Sequence, residues 1–208
     1  MLAVLPFLDQ SDETEALTGL PWQVETLPDG VTRVFGLQIG SSRLTDVLDI
    51  LGSDMDLAII AAPDEVGNLE MYYGHYRTGL LSGKLVLQTG IGEQEIIRLR
   101  ENSVNSKYMA SGQAKKYILS SDDLIHVLNE TVTGVTFIPV VNLDEEVILA
   151  RFGEPDRRIQ LTGVTHYLYP HIGLEIALHE EGKEVLQYVS PHAFQQLIKP
   201  LEKEEEKR

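Results

Sequence analysis

At 208 residues, with 43% of them hydrophobic and 24% charged, the chain is long enough for one sizeable core or two small subdomains. Its formal net charge of -15 argues against nucleic acid or an anionic membrane surface as partner, because phosphate binding draws on Lys and Arg that release counterions; basic or neutral partners are favoured. The absence of cysteine excludes disulfides, thiolate zinc sites, thiol nucleophiles and iron-sulfur clusters.

Residues 1–10 (MLAVLPFLDQ) form a short apolar run without the basic start of a secretory leader, and far below the roughly 20 residues of a spanning helix. The run fits the stub of a removed leader or membrane anchor. Residues 9–30 carry Asp9, Asp12, Glu13 and Glu15, then Pro21, Pro28 and Asp29-Gly30, a density of breakers that predicts an extended arm closed by a turn. Residues 31–39 (VTRVFGLQI) read as a strand with a counterpart at 135–141 (VTFIPVV), each introduced by Gly-Val-Thr. Ser42 is a candidate N-cap for a helix in which Leu44, Val47, Leu48 and Leu51 make one apolar stripe, stopped by Gly52. The later counterpart has Asn142 as cap with Glu145 three residues on, then Ile148, Leu149 and Phe152 before Gly153-Glu154-Pro155. The second stripe is the narrower, since Glu145 stands where the first has Leu44.

Strands are predicted after each helix: 57–61, 70–76, 84–88 and 95–100 in the first copy, and 158–162, 165–169, 174–179 and 184–189 in the second, separated by Gly- and Pro-rich turns. Between the copies, 107–119 reads as an amphipathic helix, and Ser120-Ser121-Asp122-Asp123 opens another through Leu128. The closing run LEKEEEKR reads as a solvated, frayed end. The expected fold class is therefore α+β, two tandem helix-plus-antiparallel-meander units with the helices on one face of the sheet. Its parts are an arm (1–29), a first unit (30–100), a helical connector (101–133), a second unit (134–198) and a charged tail (199–208).

Strand parity places Leu174, Ile176 and Leu178 on one face and Glu175, Ala177 and His179 on the other. The same reasoning puts Tyr167 and Tyr169 on an open face, with Tyr72 and Tyr76 as their counterparts in the first copy. Tyrosines there would serve as interface anchors, although Tyr and Thr are also simply good strand formers. The apolar triplet Leu85-Val86-Leu87 suggests that its strand is buried on both sides, leaving the open face mainly in the second copy. No nucleophile elbow, phosphate loop or dinucleotide fingerprint is present, and His166, His171 and His179 lack the spacing of a helical zinc site. No catalytic residue, metal ligand or cofactor is assigned.

The stretch 40–52 (GSSRLTDVLDILG), and 143–155 (LDEEVILARFGEP) with Tyr-Leu-Tyr and Gly-Leu-Glu-Ile-Ala-Leu after it, resembles the unit of β-lactamase inhibitor protein and of small outer-membrane assembly lipoproteins of the SmpA/OmlA type. The first copy departs from that pattern, with Gly52-Ser53-Asp54 where a proline would stand, and no lipobox cysteine is available. The resemblance implies a tandem sheet curved over helices, a periplasmic or cell-envelope setting, and binding of other proteins without enzymatic activity. The function expected is thus a non-catalytic protein- or peptide-binding module, through Tyr72, Tyr76, Tyr167, Tyr169, Glu175 and His179. The alternatives are a small-molecule or metal-binding protein, or a hydrolase, with His75 and His166 in a cleft between the copies, or a structural spacer; a cytoplasmic setting also stays open.

Overall fold

The computed structural model describes residues 18–28 and 30–207; the apolar start, the acidic residues Asp9, Asp12, Glu13 and Glu15, and Asp29 lie outside the described residues. The fold is α+β. Strands β1 (Glu25–Thr26), β2 (Thr32–Val34) and β3 (Leu37–Gln38) make a small antiparallel sheet. Helix α1 (Leu44–Leu51) leads into β4 (Asp56–Ala61), β5 (Asn68–Thr78) and β6 (Leu81–Thr89), followed by α2 (Glu93–Glu101), β7 (Asn105–Tyr108), β8 (Lys115–Ile118) and α3 (Ser121–Val127). The chain continues through β9 (Val132–Pro139), α4 (Glu145–Phe152), β10 (Arg157–Leu161), β11 (Val164–Tyr169), β12 (Leu174–His179), β13 (Val185–Val189) and α5 (Phe194–Glu205). Ten strands join in one antiparallel sheet, ordered β10-β11-β12-β13-β9-β6-β5-β4-β8-β7.

One face of this sheet builds the main core. Register carries an unbroken apolar row across seven strands: Leu57, Met71, Leu87, Val135, Tyr188, Leu174 and Tyr169 face one another in turn. A second row runs Tyr73, Leu85, Phe137, Leu186, Ile176 and Tyr167. Leu44 and Val47 of α1, Ile96 and Leu99 of α2, Val127 of α3 and Ile148 of α4 all close over these rows. Burying each large side chain stabilises by about 1.5–3 kcal/mol, so short helices that would not persist alone are held by the sheet. Helix α5 instead packs on the opposite face, where Phe194 and Ile198 meet Ile159, Leu161 and Leu168.

Local chemistry explains the helix ends. The Arg43 N–H donates to Asp46 at 2.7 Å ahead of α1, and Asp144 rather than Asn142 caps α4, accepting from the Val147 N–H at 2.8 Å. Gly52 and Gly153 stop the two helices at φ 85° and 79°, a region glycine enters without strain. Ser120 caps α3, as its position predicts.

Several expectations are overturned. The strand predicted over 31–39 is a hairpin: Phe35 (φ 54°) and Gly36 (φ 79°) turn the chain between β2 and β3, because Phe35 inserts its ring among Tyr76, Phe137 and Tyr188. The strand predicted over 95–100 is helix α2, in which Glu93 and Glu95 open the first turn, Arg98 and Arg100 close the last, and Ile96 and Leu99 share the buried side. The helix predicted over 107–119 is the β7–β8 hairpin, turning at Gly112 (φ 70°), so the connector is not wholly helical. The terminal charge run is helical as far as Glu205: α5 extends into it, and Arg157 pairs with Glu202 at 2.9 Å and with Glu205.

An uncovered trough as candidate functional site

The same register that builds the core dictates what the opposite face presents. Asp56, Tyr72, Val86, Thr136, Gln187, Glu175 and Leu168 form the next row across the sheet, pointing away from α1 to α4. Helix α5 covers the β10–β11 end of this face. Over β4, β5, β6 and β9 no helix among the described residues covers it, and these strands floor a trough of about 370 Å³ with the β7–β8 hairpin along its edge. Its floor is Ala58, Ile60, Tyr72, Val86 and Ile138, with Met109 leaning in from the hairpin. Lys116 reaches over to Asp56 at 3.0 Å.

Two charged groups of the trough are left without partners. The side chain of Glu70 makes no hydrogen bond or ion pair with any described residue, and its partial burial pushes its carboxyl above the usual carboxylate range. Lys84, near the other end, is exposed and forms no ion pair among the described residues.

Of the predicted site residues Tyr72 lies on this open face, half-buried, and the others fall elsewhere. Tyr167 and Tyr169 are 2% and 0% exposed, facing Ile176 and Leu174 across β11–β12. Side chains directly opposite in an antiparallel pair share a face, so the tyrosines go where Leu174 and Ile176 go, into the core. The Tyr169 hydroxyl donates to the Gly153 carbonyl at 3.0 Å, and burial pushes its pKa up to about 12. Tyr76 is partly buried against Phe35 and Phe137, with its hydroxyl donating to the Gly19 carbonyl at 3.3 Å. The triplet at 85–87 is not sealed on both sides, since Leu85 and Leu87 are buried in the core while Val86 lines the trough. The open face lies mainly over the first half of the sheet, not the second.

Glu175 is on the predicted face but is 1% exposed, because the ring of His166 and the amide of Gln187 close over it. His166 Nδ1 sits 2.6 Å from Glu175 Oε1, and Gln187 Nε2 donates to Oε2 at 3.1 Å. This carboxylate-oriented imidazole is not legible as a pair in the sequence, where alternation sets Glu175 on the open face and His166 opposite to it; the register of β11 on β12 puts both on one face. His179 is half-buried and borders a separate recess with Asn142, Asp144 and Glu184. His75 lies on β5, five strand spacings or about 24 Å from His166 on β11, so the two histidines share no cleft. His75 instead borders a cavity of about 660 Å³, with Asp54, Tyr73 and Arg77. The tyrosine hydroxyls there are already spent on the Gly52 and Gly19 carbonyls, and Thr18, the first described residue, forms part of the wall.

Among the described residues no three His, Asp or Glu side chains converge to hold a metal ion, and no helix is long and apolar enough to cross a membrane. Compared with protein-family models, with characterised proteins and with solved structures, the chain matches none.

Proposed function

We propose that this protein is a non-catalytic binding module that receives a protein or peptide segment on the bared sheet over β4, β5, β6 and β9. The observation that carries this reading is the trough itself: an apolar floor around Tyr72, wide enough for several side chains, with no covering element and a partly desolvated, unpaired carboxylate among the described residues. Tyr72 offers a stiff aromatic surface of the kind that dominates binding energy at interfaces. The same face of the sheet is used at its other end to hold α5.

A tandem arrangement of two inhibitor-protein-like units, and with it a cell-envelope role, belongs to the same proposal. Two features support it. Each of α1 and α4 ends on a glycine in the same conformation, and each of those glycine carbonyls accepts from a tyrosine hydroxyl of the following meander, Tyr73 to Gly52 at 2.7 Å and Tyr169 to Gly153 at 3.0 Å. The meanders β4-β5-β6 and β10-β11-β12 also run inward from opposite sides toward the middle of one sheet, as two units related by a two-fold would.

The test is cross-linking capture from a membrane-containing lysate with wild type and Tyr72→Ala, their circular dichroism being equal. Loss of a specific partner in the variant supports the reading; unchanged capture removes this face from consideration. A second reading, a small-molecule site or hydrolase, is favoured by one observation, the imidazole of His166 held by Glu175 at 2.6 Å. A ligand whose thermal-shift response vanishes in His166→Gln would move the assignment there.

A further inference from the structure

Resting on that reading, the chemistry of the occupant follows from the two unpartnered charges. Glu70 faces Gln88 across β5–β6, and Lys84 lies four residues before Gln88 on the same strand. At about 3.4 Å per residue and about 4.8 Å between strands, the two Cα positions are roughly 14 Å apart, nearly along the strand direction. Between them the face is Tyr72 and Val86, which oppose each other directly. The trough thus has an acidic end, an apolar middle and a basic end. Its remaining charges do not alter this polarity, because Asp56 and Lys116 neutralise each other at 3.0 Å.

We propose that the trough takes an extended segment of a partner protein with the pattern basic–x–apolar–x–acidic, the basic side chain meeting Glu70, the apolar one lying on Tyr72 and Val86, and the acidic one meeting Lys84. Four residues of extended chain span about 13–14 Å, which matches the separation of the two charges. In such a segment every second side chain points the same way, so the three specificity positions face the trough together. The aliphatic stem of a lysine or arginine lies on Ala58 and Tyr72 while its head reaches the carboxylate, and the ring face adds a cation–π contact. The carboxylate of Glu70, partly desolvated and without a counter-charge among the described residues, is the group such a cation relieves. A formal charge of -15 on the whole chain favours a basic approach to this end.

The experiment is fluorescence anisotropy with fluorescein-labelled nine-residue peptides centred on Lys-Thr-Leu-Thr-Glu, Gln-Thr-Leu-Thr-Gln and Glu-Thr-Leu-Thr-Glu, at low and at moderate salt. Wild type is expected to bind the Lys/Glu peptide about tenfold more tightly than the Gln/Gln peptide, a preference that shrinks as salt rises. Glu70→Gln lowers that preference to about threefold, and Glu70→Lys moves it to the Glu/Glu peptide, a gain that misfolding cannot imitate. Tyr72→Ala weakens binding of every peptide. Equal binding of all three peptides by wild type, or none at millimolar concentration, overturns the charge pattern. Should Tyr72→Ala still weaken binding when charge makes no difference, the face stands and only the pattern falls; a charge preference untouched by Tyr72→Ala places the occupant outside the trough and sinks both.

Discussion

Tyrosine carries two opposed duties in this molecule, and only its neighbours across the strand distinguish them. Tyr73 and Tyr169 are helix-end clamps whose hydroxyls satisfy the last carbonyls of Gly52 and Gly153, while Tyr188 is fully buried and donates to the Pro21 carbonyl at 2.9 Å, pinning the arm to the core. Tyr73→Phe and Tyr169→Phe each leave a carbonyl unpaired, and chemical denaturation should report a loss of about 1 kcal/mol for each. Burial pushes both hydroxyls up to about 12, above their value of about 10 in the unfolded chain. A raised folded-state pKa means the stabilisation is whole below about pH 10 and is lost as pH rises through about 12. The thermal midpoint should therefore fall across that window in wild type, and less steeply in the double Phe variant. Glu184 is the opposite case, 4% exposed with its Oε2 unpartnered among the described residues. Glu184→Gln should raise stability by roughly 1 kcal/mol, and an unchanged or lowered midpoint would show that this carboxylate has a partner in solution.

At the scale of elements, α2 and α3 are tied by an ionic cluster that strand-like residue choice concealed. Arg98 grips Glu95 at 2.6 Å and reaches Asp123 at 2.9 Å, and Asp123 in turn accepts from the Ser120 hydroxyl at 2.9 Å. The Arg98 guanidinium holds the Glu95 carboxyl below its ordinary range, and the Ser120 hydroxyl with Arg98 does the same for Asp123. Depressed carboxylates stabilise above their unfolded pKa, near 4, and the contribution disappears as pH falls through the folded value. Arg98→Met should accordingly lower the melting temperature at pH 6 and change it little at pH 2.5; an equal drop at both would mean the arginine acts by packing alone. The helices α1 and α4 were legible because apolar spacing and a stopping glycine agree, and α3 because Ser120 and Asp123 make an N-terminal signature. Helix α2 was not, since Ile96-Ile97 suits a strand and only pairing of Glu95 with Arg98 and packing of Leu99 tip the balance. The β7–β8 hairpin was missed for the reverse reason: its lysines and Tyr117 fit either period, and β4, which pairs with β8, decided.

Across the whole molecule, one sheet serves two cores with opposite faces. Truncation of Phe194 to Ala removes the centre of the smaller one and should cost about 3 kcal/mol, measurable by denaturant unfolding and accompanied by faster amide exchange in β10. A variant no less stable than wild type would mean α5 is only loosely docked. The sequence by itself determined the α+β class, the turns at Gly163, Gly173 and Gly182, the bounds of β10 to β13 to within a residue, and the glycine ends of α1 and α4, because those depend on local periodicity and on which backbone conformations a residue tolerates. Only the tertiary structure decided which face of each strand is covered. Alternation says that Tyr167 and His166 point opposite ways but not which way is inward; the register of β11 on β12, set by contacts across the sheet, sent Tyr167 and Tyr169 to the helices and left the bare surface around Tyr72.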